Sequence, residues 1–411
     1  MTPSDRLRIL VLPAKTFPCD HAMLETVLAS FLPARGHHVE WVMASRDAVD
    51  GTVPWNESEV HVVPAGRGDL LSRVRANVAL MRTAATVGRR REVDIVFVRN
   101  TVRLALVALW LRRTMGARFV FQFSFPVAER TLMLAGRTRG VSAARRISAA
   151  AAVRARRVIL RRADLVITIS ESMRRQVEAD GVPPTRVEVL PLAAQPVEPS
   201  SEAISAVRAE LGLRANAPLV LYFGAIARER RLEMLIDVAA SLRVRHPDAR
   251  WVLLGPSATD EAERLRTSAR RRGLEPMFTV CGPVPRRRVP AYIASASVTV
   301  SPIPPLALFE VASPTKVVES LAAGTPVVAT PIEDQAELIR RSGGGVVAPF
   351  EVEAFAAGVS ALLDDPEAAR AMGRAGRAFV AESRTWEQAT IDLEAWLLNL
   401  VTAPGGSSAP R

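Results

Sequence analysis

The chain is 411 residues long, 49% hydrophobic and 23% charged, with a net charge of +12. That balance excludes wholesale disorder, a collagen-like repeat and a coiled-coil rod. Two cysteines, Cys19 and Cys281, exclude a disulfide framework and fit a reducing compartment.

Arg8 to Leu12 reads RILVL, the apolar run expected of a buried parallel strand. A helical pattern follows from Met23 to Leu32 and closes at the turn around Gly36, with His37 and His38 as loop residues. Val39 to Met43, Val60 to Val63, Asp94 to Val98, Arg118 to Phe123 and Leu165 to Ile169 read as strands. Leu70 to Thr86 and Val102 to Arg113 read as helices between them. This alternation implies a parallel, doubly wound sheet. Pro191 to Pro199 is Pro-rich and, with Ser200 and Ser201, reads as linker. The alternation restarts at Leu219 to Phe223 and runs through Val298 to Ser301 and Val317 to Ala323 to Gly345 to Val347. Thr385 to Val401 reads as a last amphipathic helix, and Ala403 to Arg411 as a frayed tail. The expected organisation is a first domain over 1–195, a linker over 196–217, a second domain over 218–384, the last helix over 385–402 and the tail over 403–411. Two doubly wound domains imply a cleft between them, with ligands outside the carboxyl ends of the strands.

No window of about 18 apolar residues occurs. The longest run, Leu104 to Leu111, stops at Arg112 and Arg113, and Ile9 to Pro13 is too short for a signal-peptide core. The expectation is a cytoplasmic protein, at most peripheral on an inner membrane face. Residues 1–195 hold 30 basic and 17 acidic residues, a net +13, and the remainder is near neutral. Of the 54 basic residues 52 are arginine, and the two lysines are Lys15 and Lys316. GC-rich coding explains the bias, so a lysine retained against it draws attention. Arg137 to Arg162 carries nine arginines and no acid in an Ala-rich, Pro-free stretch that reads as helix. Arg154, Arg157 and Arg161 share one face. That face fits anionic lipid headgroups, at roughly 1 kcal/mol per basic residue, or it is simply a solvated arginine surface. Nucleic acid is not expected as a partner, because few aromatics interleave with the basic runs.

Two segments carry chemistry. Leu219 to Arg231 (LVLYFGAIARERR) takes a strand through Gly224 into a basic loop before a helix. Glycine allows close backbone approach, and an arginine at a helix start can grip a diphosphate; Arg228, Arg230 and Arg231 are the candidates. Ser313 to Thr330 (SPTKVVESLAAGTPVVAT) reads as a helix with Ser313 as N-cap and Pro314 in the first turn. Lys316 and Glu319 then share one face. Lys316 suits a phosphate or sugar oxygen, and Glu319 a ribose diol, since a carboxylate accepts two O–H bonds at once. The competing reading is an exposed salt bridge worth under about 1 kcal/mol.

These residues, with CGPVPRRRVPAYIASASVTVSPIP at Cys281 to Pro304 and SGGGVVAPF at Ser342 to Phe350, resemble the donor domain of glycosyltransferase family 4, in a subgroup with an SPTK-type motif. ITISESMRRQVEADGVPPTRVEVLP at Ile167 to Pro191 is similar to the end of that family's acceptor domain. The resemblance implies the GT-B fold: α/β, two Rossmann-like doubly wound parallel-sheet domains facing a central cleft. It implies sugar transfer from a nucleotide-diphosphate sugar with retention of configuration. It implies that Glu319 binds the ribose, that Arg230 and Lys316 hold the diphosphate, and that Gly282 and Pro283 face the nucleobase. Gly224, Arg228, Ser313 and Pro314 complete the donor side. The family's first motif glutamate falls on Val311, with Glu310 one residue away, and Ala225 replaces a second diphosphate arginine. Lys15, His21 beside Asp20, and Ser124 are the acceptor-side candidates, with Glu129 and Arg130 behind them. The final helix, with Trp386 and Trp396, looks like the one that crosses back onto the first domain. Neither cofactor nor metal is expected, because positive side chains stand in for a cation and the leaving phosphate can take the acceptor proton. The expected acceptor is a polyprenyl-linked or other glycan; the alternatives are a soluble natural-product acceptor, or nucleotide-sugar binding without turnover.

Overall fold

The computed structural model describes residues 6–19, 21–47, 51–66, 69–137, 143–214, 216–257 and 259–402. The chain forms two compact units, Met1–Pro191 together with Trp386–Arg411, and Leu192–Thr385.

The first unit contains β1 (Arg8–Pro13), β2 (Thr16–Phe17), β3 (His38–Ser45), β4 (Gly51–Trp55), β5 (Ser58–Pro64), β6 (Ile95–Arg99), β7 (Arg118–Gln122), β8 (Leu165–Thr168) and β9 (Val187–Val189). They form one sheet in the order β4-β5-β3-β1-β6-β7-β8-β9, with β2 beside β3. Every pairing is parallel except β4 with β5. Ile9 to Leu12, Val96 to Val98 and Phe119 to Phe121 are buried, as expected of strands covered on both faces. Pro13 pairs with Arg99 and Arg99 with Gln122, so the carboxyl ends of β1, β6 and β7 lie level.

The β4–β5 hairpin is absent from the sequence reading. Pro54 argues against an interior strand, but β4 is the sheet edge, where a missing N–H costs no ladder bond. The helix expected from Met23 to Leu32 is present with a wider π pitch over Leu24–Phe31. The hairpin packs against its C-terminal half. Glu57 N–H and Ser58 Oγ–H both donate to the Ala29 carbonyl, at 3.2 and 3.1 Å, and so satisfy a group that Pro33, four residues on, has no N–H to reach. His37 lies in the connection before β3 as expected but is buried, whereas His38 is not a loop residue: it opens β3. The His37 Nδ1 accepts from Leu7 N–H at 3.1 Å and its Nε2 donates to Glu394 Oε1 at 2.8 Å. Glu394 belongs to the last helix, Trp386–Thr402, which packs Leu393 and Leu397 in this unit. Arg35 Nε also donates to Glu394, at 2.6 Å.

The helix Val127–Arg137 was not expected. Glu129, read as an acceptor-side residue, instead grips buried Arg156 through both guanidinium nitrogens, and Arg156 stacks 4.4 Å over Phe123. In the helix Ala143–Leu160 and just after it, Arg157 pairs with Asp180 at 2.8 Å and Arg161 Nε donates to the Asp180 carbonyl at 2.7 Å. The expected arginine face is thus largely committed within the unit. Residues 138–142 of that stretch, Asp20 and the 403–411 tail lie outside the described residues.

The second unit has six parallel strands: β10 (Leu219–Phe223), β11 (Arg250–Leu254), β12 (Phe278–Cys281), β13 (Val298–Ser301), β14 (Val327–Ala329) and β15 (Gly345–Val347). Their order is β12-β11-β10-β13-β14-β15. Strand order reverses between β10 and β13, which is where doubly wound sheets open a ligand crevice. The 196–217 segment is a correction to the linker expectation. It holds the helix Ser201–Glu210, whose Val207 is buried against the cluster that contains Leu219, Leu221 and Tyr292.

Candidate active site

Four neighbouring strand ends build the site. Because β12, β11, β10 and β13 are parallel and adjacent, the loops at Gly282, Gly255, Gly224 and Ile303 leave one edge of the sheet. Gly224 has a φ of 126° and its N–H bonds the Leu254 carbonyl at 2.9 Å. Ile226 N–H continues the ladder to Pro256 O at 2.9 Å. The Tyr222 hydroxyl donates to the Ala225 carbonyl at 2.9 Å. Gly255, with a φ of 148°, lies so close that an added Cβ would fall 2.1 Å from the Gly224 oxygen. Gly255→Ala is therefore expected to cost about 3 kcal/mol or more, from backbone strain plus overlap. Urea denaturation checks this, and the loss should exceed that of Gly282→Ala, where an added Cβ meets nothing within 4 Å.

Beyond Gly224 a single 3-10 turn spans Arg228–Arg230, closed by Arg230 N–H to Ala227 O at 2.8 Å. Arg231 takes the left-handed conformation, φ 49°, and the helix Glu233–Leu242 begins. The turn leaves Arg228 and Arg231 exposed and turns Arg230 inward. The Arg230 guanidinium stacks 4.3 Å over the buried Phe309 ring, in the short helix Ala307–Glu310. Such stacking holds the guanidinium plane while leaving its N–H groups free to donate.

Lys316 and Glu319 come from the helix Thr315–Ala322. The Lys316 stem crosses the face of Gly224: a Cβ built there would lie 3.6 Å from Lys316 Cδ and 3.7 Å from Nζ. Its ammonium is 5.3 Å from the Tyr222 ring centroid. The two side chains form no ion pair with each other, which removes the surface salt-bridge reading. Burial pushes Lys316 down to about 7, and the Arg230 charge adds to this, while Glu319 opposes it. Burial pushes Glu319 up to about 6, against the pull of Arg286 and Lys316. Two like charges held together without a fixed carboxylate partner store electrostatic strain of the kind found at functional sites.

The remaining donor-side candidates divide. Gly282 and Pro283 are exposed at the end of β12. Glu310 is exposed, while Val311, at the family motif position, is buried. Ser313 is a correction. It is buried, accepts from Leu192 N–H at 3.1 Å and donates to Asp334 Oδ2 at 2.7 Å, so it anchors the segment and does not cap the helix. Pro314 is itself the N-cap residue, so the helix starts one residue later than expected. Ser313→Ala is expected to cost about 1–3 kcal/mol by stranding buried groups, seen as a lower urea midpoint. Sequence reading passed over Phe309, Tyr222, Gly255 and Arg286. Nothing local distinguishes the three arginines of the 285–288 run PRRR, and only the fold brings the Arg286 charge near enough to Glu319 to act on it.

In the first unit, Lys15 is exposed between β1 and β2. His21 Nε2 lies 2.9 Å from Arg99 Nη2. Ser124 is buried and locked to Asn100: Asn100 Nδ2 donates to Ser124 Oγ at 2.8 Å, and Ser124 N–H donates to Asn100 Oδ1 at 2.9 Å. All three follow the ends of β1 or β7. Among the described residues, no three His, Cys, Asp or Glu side chains are grouped as a metal centre needs, and no helix is long and apolar enough to cross a membrane.

Two doubly wound parallel-sheet units, one carrying this cationic cluster at its switch point, define a two-domain α/β protein of the GT-B class. The family description "Glycosyl transferases group 1" matches residues 204–379, and "Glycosyl transferase 4-like domain" matches residues 26–193. The first match falls within the second unit and the second match falls almost wholly within the first unit. The chain is 33% identical over 193 residues to D-inositol 3-phosphate glycosyltransferase of Streptomyces griseus, covering 45% of this chain and 40% of the relative. It is 29% identical over 250 residues to alpha-maltose-1-phosphate synthase of Mycolicibacterium smegmatis, covering 56% and 62%. It is 30% identical over 219 residues to alpha-D-kanosaminyltransferase of Streptomyces kanamyceticus, covering 52% and 54%. The chain thus spans about half the length of the curated relatives it matches. Among solved structures, sucrose-phosphate synthase from Thermosynechococcus elongatus has the same fold, with a TM-score of 0.75, 20% identity and coverage of 97% and 100% of the two chains. HepE of Anabaena, in complex with UDP and glucose, aligns with a TM-score of 0.72, 18% identity and coverage of 95% and 99%.

Proposed function

We propose that this protein transfers a glycosyl group from a nucleotide-diphosphate sugar to an acceptor, with retention of anomeric configuration. The observation that carries the reading is the grouping of Lys316, Arg230 and Glu319 over the bare backbone of Gly224. In this reading Lys316 and Arg230 neutralise the charge that develops on the departing diphosphate. Glu319 accepts both ribose hydroxyls. The open surface at Gly282 and Pro283 admits the nucleobase, and Arg228 and Pro314 border the phosphates. A diphosphate also relieves the Lys316–Arg230 repulsion, so binding restores full charge to Lys316. Lys15, His21 and Ser124 serve the acceptor. No side chain acts as a nucleophile: the leaving phosphate takes the acceptor proton on the face it departs from.

Two cations in place of a metal support a reaction that needs no divalent cation, and EDTA is expected to leave turnover unchanged. The test of the whole reading is a thermal-shift panel of UDP-, GDP-, dTDP- and ADP-sugars, followed by turnover with the responding donor and assignment of the product anomer by NMR. An inverted product overturns retention. Silence from every donor overturns the transferase reading. A shift without turnover or donor hydrolysis favours binding alone, to which buried Val311 in the motif position lends weight.

Two observations favour different acceptors. The helix Leu70–Arg90 contains no acid and exposes Leu71, Val74 and Val78 alongside Arg73 and Arg75, which supports a lipid-linked glycan acceptor at an anionic inner membrane face. Relatives named for D-inositol 3-phosphate and for kanosaminyl transfer support a soluble one. Sedimentation with anionic against neutral vesicles separates the two.

A further inference from the structure

The geometry points to a phosphate-binding site in the first unit, built on Arg99, the opening turn of the helix Val102–Met115 and Ser124, which receives a phosphate group carried by the acceptor. This deepens the transferase reading and rests on it for the word acceptor; the anion site itself stands on the observations below.

Arg99 is the last residue of β6 and only 6% exposed. Among the described residues it has no ion-pair partner, although a buried charge is costly without one. Its side-chain partner is His21, with Nη2 donating to Nε2 at 2.9 Å. A guanidinium can only donate, so this ring nitrogen is the acceptor, and the imidazole supplies no negative charge. The Arg99 Nε is buried without a partner. Burial draws the guanidinium down to about 10, and the neighbouring Cys19 opposes this only in part. Arg156, the other arginine buried among the described residues of this unit, shows the contrast: Glu129 grips it with both oxygens.

The chain beyond Arg99 supplies further donors. Asn100 takes a left-handed φ of 55°, which turns the backbone sharply into the helix Val102–Met115. The N-cap, Thr101, makes no side-chain cap bond, so the opening N–H groups are uncapped at the positive end of the helix. Asn100 fixes Ser124 as a hydrogen-bond acceptor, which leaves the Ser124 hydroxyl proton to donate elsewhere. The register Pro13–Arg99–Gln122 sets these groups on adjacent strand ends. These neighbouring chain ends together offer a guanidinium, backbone N–H groups and a hydroxyl proton. That set matches the several oxygens of a tetrahedral phosphate better than the two of a planar carboxylate.

The test uses the full-length protein and inorganic phosphate, at ionic strength matched with chloride, read by thermal shift and by isothermal titration. Wild type is expected to bind phosphate and to be stabilised. The response should persist in Lys316→Ala, which disables the donor side, and the affinity should fall at least tenfold in Arg99→Leu. Without phosphate, Arg99→Leu should melt no lower than wild type, because an unpaired buried charge has been removed. Arg99→Lys serves if the leucine variant does not fold: it keeps the charge, loses the fork, and should bind phosphate at least fivefold more weakly. A response abolished by Lys316→Ala and kept by Arg99→Leu, an unchanged affinity in Arg99→Lys, or an equal response to acetate each overturns the proposal. A hexose monophosphate and a polyprenyl monophosphate in micelles are then competed against phosphate. The one that displaces it names the source, and displacement by neither overturns the acceptor assignment. Nucleotide-sugar shifts measured in the same samples report the donor side alone, so failure of the transferase reading shows there and not in the phosphate arm.

Discussion

Glu319→Gln is expected to lower kcat/KM by about 100- to 1,000-fold while the fold survives. The magnitude follows from losing a charged acceptor of two hydrogen bonds, each worth about 1.5–3 kcal/mol, at 1.36 kcal/mol per tenfold in rate. The stability effect runs in the opposite direction. Glu319 is pushed up to about 6 by burial, above its ordinary value. The native state therefore favours the protonated form, and that contribution is complete below the ordinary carboxylate range and lost as pH rises through about 6. At pH 7.5 the wild type carries an ionised, poorly solvated carboxylate that the amide lacks. The variant should therefore melt no lower than wild type at pH 7.5 and lose that advantage by pH 4.5. Calorimetry across this range checks the sign, and donor titration at pH 7.5 checks the binding loss. A variant that loses stability at pH 7.5 as well as activity would make Glu319 a structural residue.

Lys316→Met is expected to match that loss in turnover, about 100- to 1,000-fold, by removing a charge aimed at the departing diphosphate. Here the native pKa is depressed, to about 7. The contribution to stability is present above the ordinary lysine range and lost as pH falls through about 7. Lys316→Met should raise the melting temperature by a few degrees near pH 6, where the wild type holds a charged ammonium beside Arg230, and the gain should shrink towards pH 9. Activity gives an independent check. In the free enzyme Glu319 must be ionised and Lys316 charged, so kcat/KM should peak in a narrow window between about 6 and about 7. Bound diphosphate holds the lysine proton, which carries the alkaline limb of kcat to higher pH. Lys316→Arg, always charged, should abolish the alkaline limb of kcat/KM, and Glu319→Gln the acid limb. A profile with the same limbs in both variants would assign them to other groups.

The two effects share one physical origin. The site assembles charges that oppose one another until a ligand arrives, and such arrangements trade stability for function. Arg99 shows the same trade in the first unit, where a guanidinium is buried without a carboxylate. Ser313 shows its absence. It lies three residues before Lys316, yet its hydroxyl is saturated by Leu192 and Asp334, so it behaves as ordinary core.

The sequence by itself determined the alternation of strands and helices and the doubly wound class, because burial of parallel strands on both faces demands the continuous apolar runs seen at β1, β6 and β10. It also determined that Lys316 and Glu319 share a face, because helical spacing is local and needs no partner. It could not find β4, since Pro54 is tolerable only at an edge and nothing local marks an edge. The groups that satisfy the Ala29 carbonyl, Glu57 N–H and Ser58 Oγ–H, were equally hidden, because they arrive from a distant hairpin. Only the tertiary structure decided which charges are neutralised. Nine arginines between Arg137 and Arg162 read alike, yet Arg156 and Arg157 are claimed by Glu129 and Asp180, while isolated Arg99 is left buried with a histidine and no described carboxylate beside it. Pairing of this kind depends on strand register and helix packing across tens of residues. Residue type and spacing say which side chains can carry chemistry, and long-range contacts decide which of them are free to do so.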